Sequence, residues 1–285
     1  MLRILGRISF ALILTLAVCG SLAVGALATV IEVLAPPNYE IVWDDLPEVS
    51  ATSWIVFDAQ SGEVLAAHGS EIPLPIASVT KLPAAATLYA DHREELFATT
   101  TITWSDVYEE GRAGRLSAGD EYTPYTLLFP LLLESSNDAA VALVRVVATL
   151  VPDMNAYAEQ LSLTSTTFAD ASGLSESNIS TAADLAVIAR DIFETKRHVI
   201  DITALDSHLV AQNGWLNNSP FIGMNGYLGG KHGYTPTANH TAIAFFAEQF
   251  EADTRPVGYI LLQSGNLPGD VEVLRTYVAE QVSYR

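Results

Sequence analysis

The order of the predicted elements constrains the fold most: strand-like segments stand at both ends of the main part of the chain, with helix-like segments between them. Residues 53–58 and 64–67 are apolar stretches around a turn-forming segment, which predicts an antiparallel hairpin. Three more strands, separated by turn signals, are predicted at 230–235, 241–247 and 257–263. We therefore expect one antiparallel sheet whose strands come from both ends of the chain.

Helical patterns fill the middle of the chain and return at its end. Apolar residues recur at three- and four-residue steps over 124–134, 138–150, 154–161, 182–194 and 271–282. A further helix is predicted from Ser78 onward, and Pro83 should kink its axis or delay its start. These elements predict an α+β fold, an α/β sandwich in which helices flank an antiparallel sheet, with an all-helical subdomain at about 100–210.

The N-terminal residues predict export. Arg3 and Arg7 precede an uncharged stretch over 8–31 that could span a bilayer as a helix. The stretch also contains Ala26-Leu27-Ala28, which resembles a signal-peptide cleavage site. Residues 1–35 are therefore expected to be a signal peptide or a membrane anchor. Both place the protein on the outer face of the cytoplasmic membrane, in the periplasm or outside the cell, and an uncleaved segment would make the membrane a partner.

The rest of the chain is expected to form a single domain. Residues 36–49 begin with two prolines and are predicted to be a linker, because proline favours extended backbone. Residues 50–285 are then expected to be the main folded domain, and no additional C-terminal domain is expected after the last helix.

Charge and cysteine content exclude several kinds of function. The chain has 33 acidic and 14 basic residues, a net charge of −19, which repels nucleic acid. Its one cysteine, Cys19, lies in the N-terminal stretch, so disulfides, zinc-thiolate sites and a cysteine nucleophile are excluded. The histidines show no metal-ligand spacing. We therefore expect neither a nucleic-acid partner nor a metal site.

One charged cluster could line the mouth of a cleft. It contains Asp106, Glu109, Glu110, Arg112 and Arg115. Nearby glycines favour a solvated loop instead.

Two of the three lysines lie in motifs that can support chemistry. Ser78 and Lys81 are three residues apart on a predicted helix, so the amine can reach the hydroxyl. A serine hydroxyl is a weak nucleophile unless a neighbour takes its proton, and a lysine can do so when desolvation or a nearby cation lowers its pKa. Lys231 could be that cation. Because a serine-x-x-lysine motif also arises by chance, it needs further support.

That support comes from two more motifs in a set order. Residues 135–140 read Ser-Ser-Asn-Asp-Ala-Ala between predicted helices, and residues 231–235 read Lys-His-Gly-Tyr-Thr on a predicted strand. Together with serine-x-x-lysine, such elements are the signature of penicillin-binding proteins and β-lactamases. From about residue 50 onward, including 168–174, the chain resembles the serine D-alanyl-D-alanine carboxypeptidases. These are the low-molecular-mass penicillin-binding proteins of peptidase family S11.

The resemblance implies a β-lactamase/transpeptidase-like fold with the active site between the sheet and the helical subdomain. It implies that Ser78 attacks the D-Ala-D-Ala bond of a peptidoglycan stem peptide. Terminal D-alanine then leaves, and water hydrolyses the acyl-enzyme. β-Lactams are expected to be covalent inhibitors, and the family needs no metal or organic cofactor.

The resemblance also implies roles for single residues. Lys81 would be the base for Ser78, and Ser135 would pass a proton to the leaving nitrogen. The oxyanion would be held by backbone N–H groups, those of Ser78 and Tyr234. Substrate-binding positions are expected at Asn137, Lys231, His232, Gly233 and Tyr234.

His232 departs from the family pattern, which has threonine or serine at this position. A hydroxyl that would bind the substrate carboxylate is therefore missing. His232 could replace it as a donor, which would make activity depend on imidazole protonation, or the change could weaken the site. Strict strand alternation would also put Lys231 and His232 on opposite faces of the sheet.

Three alternatives stay open. A D-alanyl endopeptidase would use the same residues. A serine β-lactamase would need a glutamate that activates the deacylating water, and the nearest candidate string, 159–162, has the wrong spacing. A catalytically degenerate cell-wall-binding protein is supported only by His232 and Pro83.

Overall fold

The computed structural model describes residues 39–41, 46–108, 111 and 114–284. The segment 1–35 lies outside the described residues, as do Glu109, Glu110 and Arg112 and parts of the expected linker. Residues 39–41, inside that expected linker, form a short strand that pairs with residues 282–284.

The strands of the described residues are β1 (Tyr39–Ile41), β2 (Ser53–Asp58), β3 (Val64–His68), β4 (Leu74–Pro75), β5 (Thr100–Thr101), β6 (Glu121–Tyr122), β7 (Ile179–Ser180), β8 (Ser207–Leu209), β9 (Gly214–Leu216), β10 (Tyr227–Thr235), β11 (Asn239–Gln249), β12 (Thr254–Ser264) and β13 (Val282–Tyr284). The helices are α1 (Lys81–Asp91), α2 (Arg93–Leu96), α3 (Pro124–Phe129), α4 (Asn137–Val146), α5 (Leu150–Gln160), α6 (Ala182–Thr195), α7 (Arg197–Thr203) and α8 (Leu267–Gln281). A 3₁₀ turn spans Ala77–Thr80 and a π-helical turn spans Pro130–Glu134.

A five-stranded antiparallel sheet with the order β10-β11-β12-β2-β3 lies at the centre. The pairing of β12 with β2 joins the two ends of the chain, with Ile260 opposite Ile55. The predicted hairpin and the three late strands therefore share one sheet, as expected. Strand β10 is one edge of this sheet and β3 is the other.

The two faces of the sheet bury separate apolar clusters, because side chains alternate along each strand. Ile55, Phe57 and Phe245 point to the face that the helices between β4 and β8 cover. Trp54 and Phe246 point to the opposite face, which α8 covers. The sheet is thus sandwiched between helical layers, which confirms the predicted α+β fold.

Helix α1 is the buried centre of the helical region. All of its residues from Lys81 to Leu88 are buried. Pro83 is the third residue of this helix, where a backbone N–H would have no intrahelical partner, so the proline fits. The predicted delay of helix entry is confirmed: Ser78 lies in the 3₁₀ turn and the α-helix begins at Lys81.

Two predicted helices end earlier than the apolar pattern suggests. The helix predicted over 124–134 changes to a π-helical turn at Pro130, because proline has no N–H to continue the regular hydrogen-bond ladder. The helix predicted over 138–150 ends at Val146, and Leu150 starts the next helix.

No single helix among the described residues is long and apolar enough to cross a membrane. Helices α4 and α5, which meet at 92°, reach that length and hydrophobicity only as a pair.

Candidate active site

Lys81 connects the first motif to two other parts of the chain. Its Nζ donates to Ser78 Oγ at 3.0 Å and to Asn137 Oδ1 at 2.8 Å. The same amine donates to the backbone carbonyl of Ser172. Lys81 is fully buried. The expected reach of the lysine to the serine is therefore present, at the end of a closed cluster of polar groups.

The second motif is positioned by an unusual backbone turn. Ser135 ends the π-helical turn in the left-handed conformation, with φ 63° and ψ 37°. Ser136 then caps α4 by accepting a hydrogen bond from the N–H of Ala139 at 3.0 Å. Asn137 is consequently the first residue of α4, and its amide oxygen points at Lys81. A non-glycine residue in this conformation costs about 1–3 kcal/mol, a strain often found at functional sites.

The backbone around Ser78 is held just as tightly. Ala77, directly before Ser78, also has a positive φ, 49°. Gly173, with φ 84°, packs against it so closely that a Cβ there would lie 2.0 Å from the Ala77 carbonyl oxygen. Thr241 on β11 donates to the carbonyl of Ile76 at 2.8 Å. The serine is therefore fixed from two sides, by the loop around Gly173 and by the sheet.

The third motif places Lys231 and His232 on opposite faces of β10, as strict alternation predicts. Lys231 pairs with Ile243, which belongs to the cluster under the helices, and His232 pairs with Ala242, which belongs to the cluster under α8. Lys231 is buried, and its Nζ donates to the carbonyl of His232 at 2.7 Å.

His232 lines a pocket of about 300 Å³ on its own face. His240 and Asn218 line the same pocket, together with the turn at 265–268. The Asn218 amide donates to the carbonyl of Glu134 at 2.8 Å, directly before Ser135. Through Asn218 the pocket adjoins the second motif.

Gly233 brings β10 next to the serine. A Cβ at Gly233 would lie 2.5 Å from the backbone nitrogen of Ser78, so only glycine permits this approach. Tyr234 follows, with its side chain 57% exposed and packed on His240 at 4.7 Å between ring centroids.

The loop 170–175 orients the Ser172 carbonyl, and no motif in the sequence predicted this. The Asp170 carboxylate accepts from the backbone N–H groups of Ser172 at 2.8 Å and Gly173 at 2.6 Å. It also accepts from the N–H of Ser175 at 2.7 Å. This carboxylate shapes the turn that aims the Ser172 carbonyl at Lys81. The spacing Asp-x-Ser-Gly is a turn signal, but a backbone acceptor cannot be recognised from residue types.

The expectation of a solvated loop at the acidic cluster is wrong for Asp106. Its carboxylate is fully buried and forms an ion pair with Arg145 on α4 at 2.9 Å. Burial raises the pKa of Asp106, but hydrogen bonds from Arg145 and Thr103 outweigh this and hold it below its usual value. The partner lies 39 residues away, so charge patterning along the sequence could not reveal it.

No group of three or more His, Cys, Asp or Glu side chains that could hold a metal occurs within 39–41, 46–108, 111 and 114–284.

Comparisons with known proteins show the family and the fold of the chain. The family model for D-alanyl-D-alanine carboxypeptidase matches residues 41–252. The D-alanyl-D-alanine carboxypeptidase DacB2 of Mycobacterium tuberculosis is 35% identical over 214 residues, which are 70% of this chain and 71% of that protein. The D-alanyl-D-alanine endopeptidase of Haemophilus influenzae is also 35% identical, but over 145 residues, 49% of each chain.

Solved structures show the same fold. A crystal structure of a D-alanyl-D-alanine carboxypeptidase from Mycobacterium tuberculosis superposes with a TM-score of 0.74 at 29% identity, covering 84% of this chain and 96% of that one. The Streptomyces K15 DD-transpeptidase has a TM-score of 0.73 over 82% of this chain and 98% of its own, at 22% identity, and shows the fold alone. The chain therefore belongs to the D-alanyl-D-alanine carboxypeptidase family, peptidase family S11, and has its β-lactamase/transpeptidase-like fold.

Proposed function

We propose that the protein removes the terminal D-alanine from peptidoglycan stem peptides through an acyl-enzyme on Ser78. The observation that carries this proposal is the 3.0 Å hydrogen bond between Lys81 Nζ and Ser78 Oγ inside a buried cluster. A nucleophile and a base within hydrogen-bond reach, with the base oriented by further groups, is the arrangement that covalent catalysis needs.

The surroundings of Lys81 suit a neutral amine as the base. A neutral lysine has two N–H donors and one lone pair. Asn137 Oδ1 and the Ser172 carbonyl can accept the two donors, which leaves the lone pair directed at Ser78. In this state the Ser78 hydroxyl donates to Nζ, and its proton moves to Lys81 as Oγ attacks the substrate carbonyl carbon.

The developing oxyanion is assigned to the backbone N–H groups of Ser78 and Tyr234. The close approach of Gly233 to the Ser78 nitrogen supports this assignment, because Tyr234 follows Gly233 directly. Strand β10 is an edge of the sheet, and an edge strand has N–H groups free of sheet pairing. Donors fixed in advance at this position stabilise the tetrahedral intermediate without reorganisation.

Ser135 is assigned the transfer of a proton to the leaving D-alanine nitrogen. Its hydroxyl can both accept and donate, and its turn is fixed two residues before Asn137. The C–N bond then breaks, D-alanine leaves, and water attacks the ester carbonyl to release the shortened peptide and free Ser78. Asn137, which also holds Lys81, is assigned to the substrate peptide group.

The substrate carboxylate is assigned to the end of the site between Lys231 and the His232 pocket. Lys231 supplies a buried positive charge. Across the strand, His232 shares its pocket with His240 and Asn266, and imidazole and amide N–H groups are suitable carboxylate donors. The pocket adjoins Ser135 through Asn218, which supports its use by the same substrate. We thus assign to His232 the position of the missing hydroxyl.

The site of action is proposed to be the cell envelope. Peptidoglycan lies outside the cytoplasmic membrane, and residues 1–35 are proposed to direct export as a signal peptide or an anchor. β-Lactams, which resemble the D-Ala-D-Ala end, are proposed to acylate Ser78.

A D-alanyl endopeptidase is the second candidate, because relatives carry that name at 35% and 30% identity. Incubation with a linear pentapeptide and with a cross-linked muropeptide dimer separates the two activities. A carboxypeptidase releases D-alanine from the pentapeptide, whereas an endopeptidase converts the dimer to monomers. Ser78→Ala should abolish either activity, and Ser61→Ala, in the turn between β2 and β3, should abolish neither. Release of D-alanine by Ser78→Ala would refute the proposed mechanism.

A further inference from the structure

An exposed pair of aromatic rings, those of Trp104 and Tyr108, has no place in the mechanism above. Trp104 is 70% exposed and Tyr108 is 78% exposed. Their ring centroids are 6.3 Å apart with 36° between the planes. Among the described residues, no other two aromatic rings in contact are both exposed. Single exposed apolar side chains are ordinary, whereas larger contiguous apolar patches mark interaction sites.

The segment that carries the two rings is anchored. Between them, Asp106 is fully buried and paired with Arg145. The same carboxylate accepts from the N–H of Thr103 at 2.8 Å, and Arg145 also donates to the carbonyl of Thr101 at 2.9 Å. Val107 packs against the main apolar cluster. Trp104 and Tyr108 are therefore held outward on a fixed turn, which lowers the entropy cost of binding a ligand.

The position of the pair can be bounded from the chain itself. Gly111 lies against the Asn137 amide, since a Cβ at Gly111 would be 2.8 Å from Asn137 Nδ2. Two residues separate Tyr108 from Gly111, so their Cα atoms are three peptide steps and at most about 11 Å apart. A stem peptide has four residues between its scissile bond and the glycan, about 13 Å when extended. The two lengths are similar, so the glycan end of a bound stem peptide can reach the segment that carries the rings.

The chemistry of the pair fits a sugar better than a lipid headgroup. A pyranose ring presents a face of C–H groups to an aromatic ring, while its hydroxyl and acetamido groups stay in water. Asp106 is neutralised by Arg145, and the chain as a whole has a net charge of −19. An anionic membrane surface would be repelled by that charge, whereas an uncharged sugar would not.

We propose that Trp104 and Tyr108 form a binding site for the N-acetylated amino-sugar disaccharide that carries the stem peptide. The inference rests on the proposed function for its substrate class. It makes the protein an enzyme that recognises the glycan as well as the D-Ala-D-Ala end.

The kinetic test compares two substrates with the full-length protein: diacetyl-Lys-D-Ala-D-Ala and a disaccharide pentapeptide with the same D-Ala-D-Ala end. Trp104→Ala with Tyr108→Ala should lower kcat/KM for the disaccharide substrate about tenfold, through KM, and leave the free peptide within about twofold. The matched control is Phe97→Ala, an exposed ring that contacts Tyr125 elsewhere, and it should change neither value. An equal loss on both substrates, or no loss on the disaccharide substrate, would overturn the proposal.

A binding test does not depend on catalysis. Calorimetry of the Ser78→Ala variant should show binding of a tetrasaccharide of the glycan that carries no stem peptide. Adding Trp104→Ala and Tyr108→Ala to that variant should abolish the binding. Absent binding, or binding that survives those changes, would overturn the glycan site even if D-alanine release is confirmed. If the two changes abolish binding of the protein to anionic vesicles but leave tetrasaccharide binding unaffected, the rings form a membrane contact and the glycan site is refuted. Failure of the proposed function would appear separately, as absence of D-alanine release from both substrates by the unmodified protein.

Discussion

Lys81 is the residue at which the local and the distant parts of the site meet. Its contact with Ser78 lies within one helical turn and could be predicted from spacing. Its contacts with Asn137 and with the Ser172 carbonyl cross 56 and 91 residues of chain. For the first of these, the family motif implied only that Asn137 belongs to the site. The second depends on the Asp170 turn and could not be predicted from residue types.

Asp170 is expected to act as a positioning residue. Asp170→Ala removes the acceptor for three backbone N–H groups, so the Ser172 carbonyl should shift away from Lys81. We expect acylation of Ser78 to slow by about tenfold or more, corresponding to the loss of one or two charge-assisted hydrogen bonds. Stopped-flow measurement with a fluorescent penicillin checks this.

Asp170→Asn provides the control for that change, because it keeps one acceptor oxygen and should recover part of the rate. A purely structural role would instead lower the melting temperature and leave the acylation rate of the folded fraction unchanged.

His232 is expected to affect substrate binding more than chemistry. His232→Ala should raise KM for a peptide with a free terminal carboxylate and should have little effect on the corresponding terminal amide. His232→Thr restores the family's hydroxyl and should keep KM near its original value. Steady-state kinetics on the acid and the amide check this. Equal KM changes on both would show that the pocket does not hold the carboxylate.

At the scale of elements, the site is the place where β10, the start of α1 and the start of α4 approach each other. The approach of β10 is the tightest, because the backbone at Gly233 leaves no room for a side chain next to the Ser78 nitrogen. Strand β10 and the 3₁₀ turn that carries Ser78 therefore behave as one unit.

Gly233→Ala should abolish acylation. The added methyl group would lie 2.5 Å from the Ser78 nitrogen, so β10 or the 3₁₀ turn must move and the oxyanion donors separate. Gly119→Ala is the control, since its Cβ would meet no other atom within 4 Å and the residue is not part of the site. Mass spectrometry after incubation with benzylpenicillin measures both. Normal acylation of Gly233→Ala would disprove the tight approach of β10.

Elements were predictable from the sequence where local signals decide them, and not where distant contacts do. The hairpin β2–β3 and the strands β10, β11 and β12 follow from β-branched runs and turns, and α6 follows from its apolar period. The hairpin β8–β9 was missed, because its one buried large side chain, Trp215, depends on a hydrogen bond to the carbonyl of Gly114 across 101 residues. The order of the motifs predicted which elements meet. It did not predict that Asp106 is buried in an ion pair with Arg145.

At the scale of the whole molecule, a buried ion pair ties the sheet to the N-terminal strand. Asp58 at the end of β2 is fully buried and pairs with Arg255 on β12 at 2.8 Å. Tyr39 on β1 donates its hydroxyl to the same carboxylate. Burial raises the pKa of Asp58, but the hydrogen bonds from Arg255, Tyr39 and two backbone N–H groups outweigh it and lower the pKa below its usual value.

The lowered pKa of Asp58 predicts a loss of stability in acid. A carboxyl group with a depressed pKa in the folded state stabilises it at neutral pH, and this contribution is lost as the pH falls through the folded-state value. Asp58→Asn should therefore lower the free energy of unfolding at pH 7 by about 3 kcal/mol, since it leaves Arg255 without its charge partner. It should also flatten the dependence of stability on pH below about 4. Denaturant titrations at pH 3–7 test this, and an unchanged acid dependence would contradict it.

The central claim is that Ser78 is a nucleophile activated by Lys81, and mass spectrometry of the full-length protein with benzylpenicillin tests it most directly. We expect a single covalent adduct whose mass equals that of the intact antibiotic, on the peptide that contains Ser78. The adduct should be absent from Ser78→Ala, and it should form far more slowly in Lys81→Met. No adduct, or an adduct that persists in Ser78→Ala, would contradict the account.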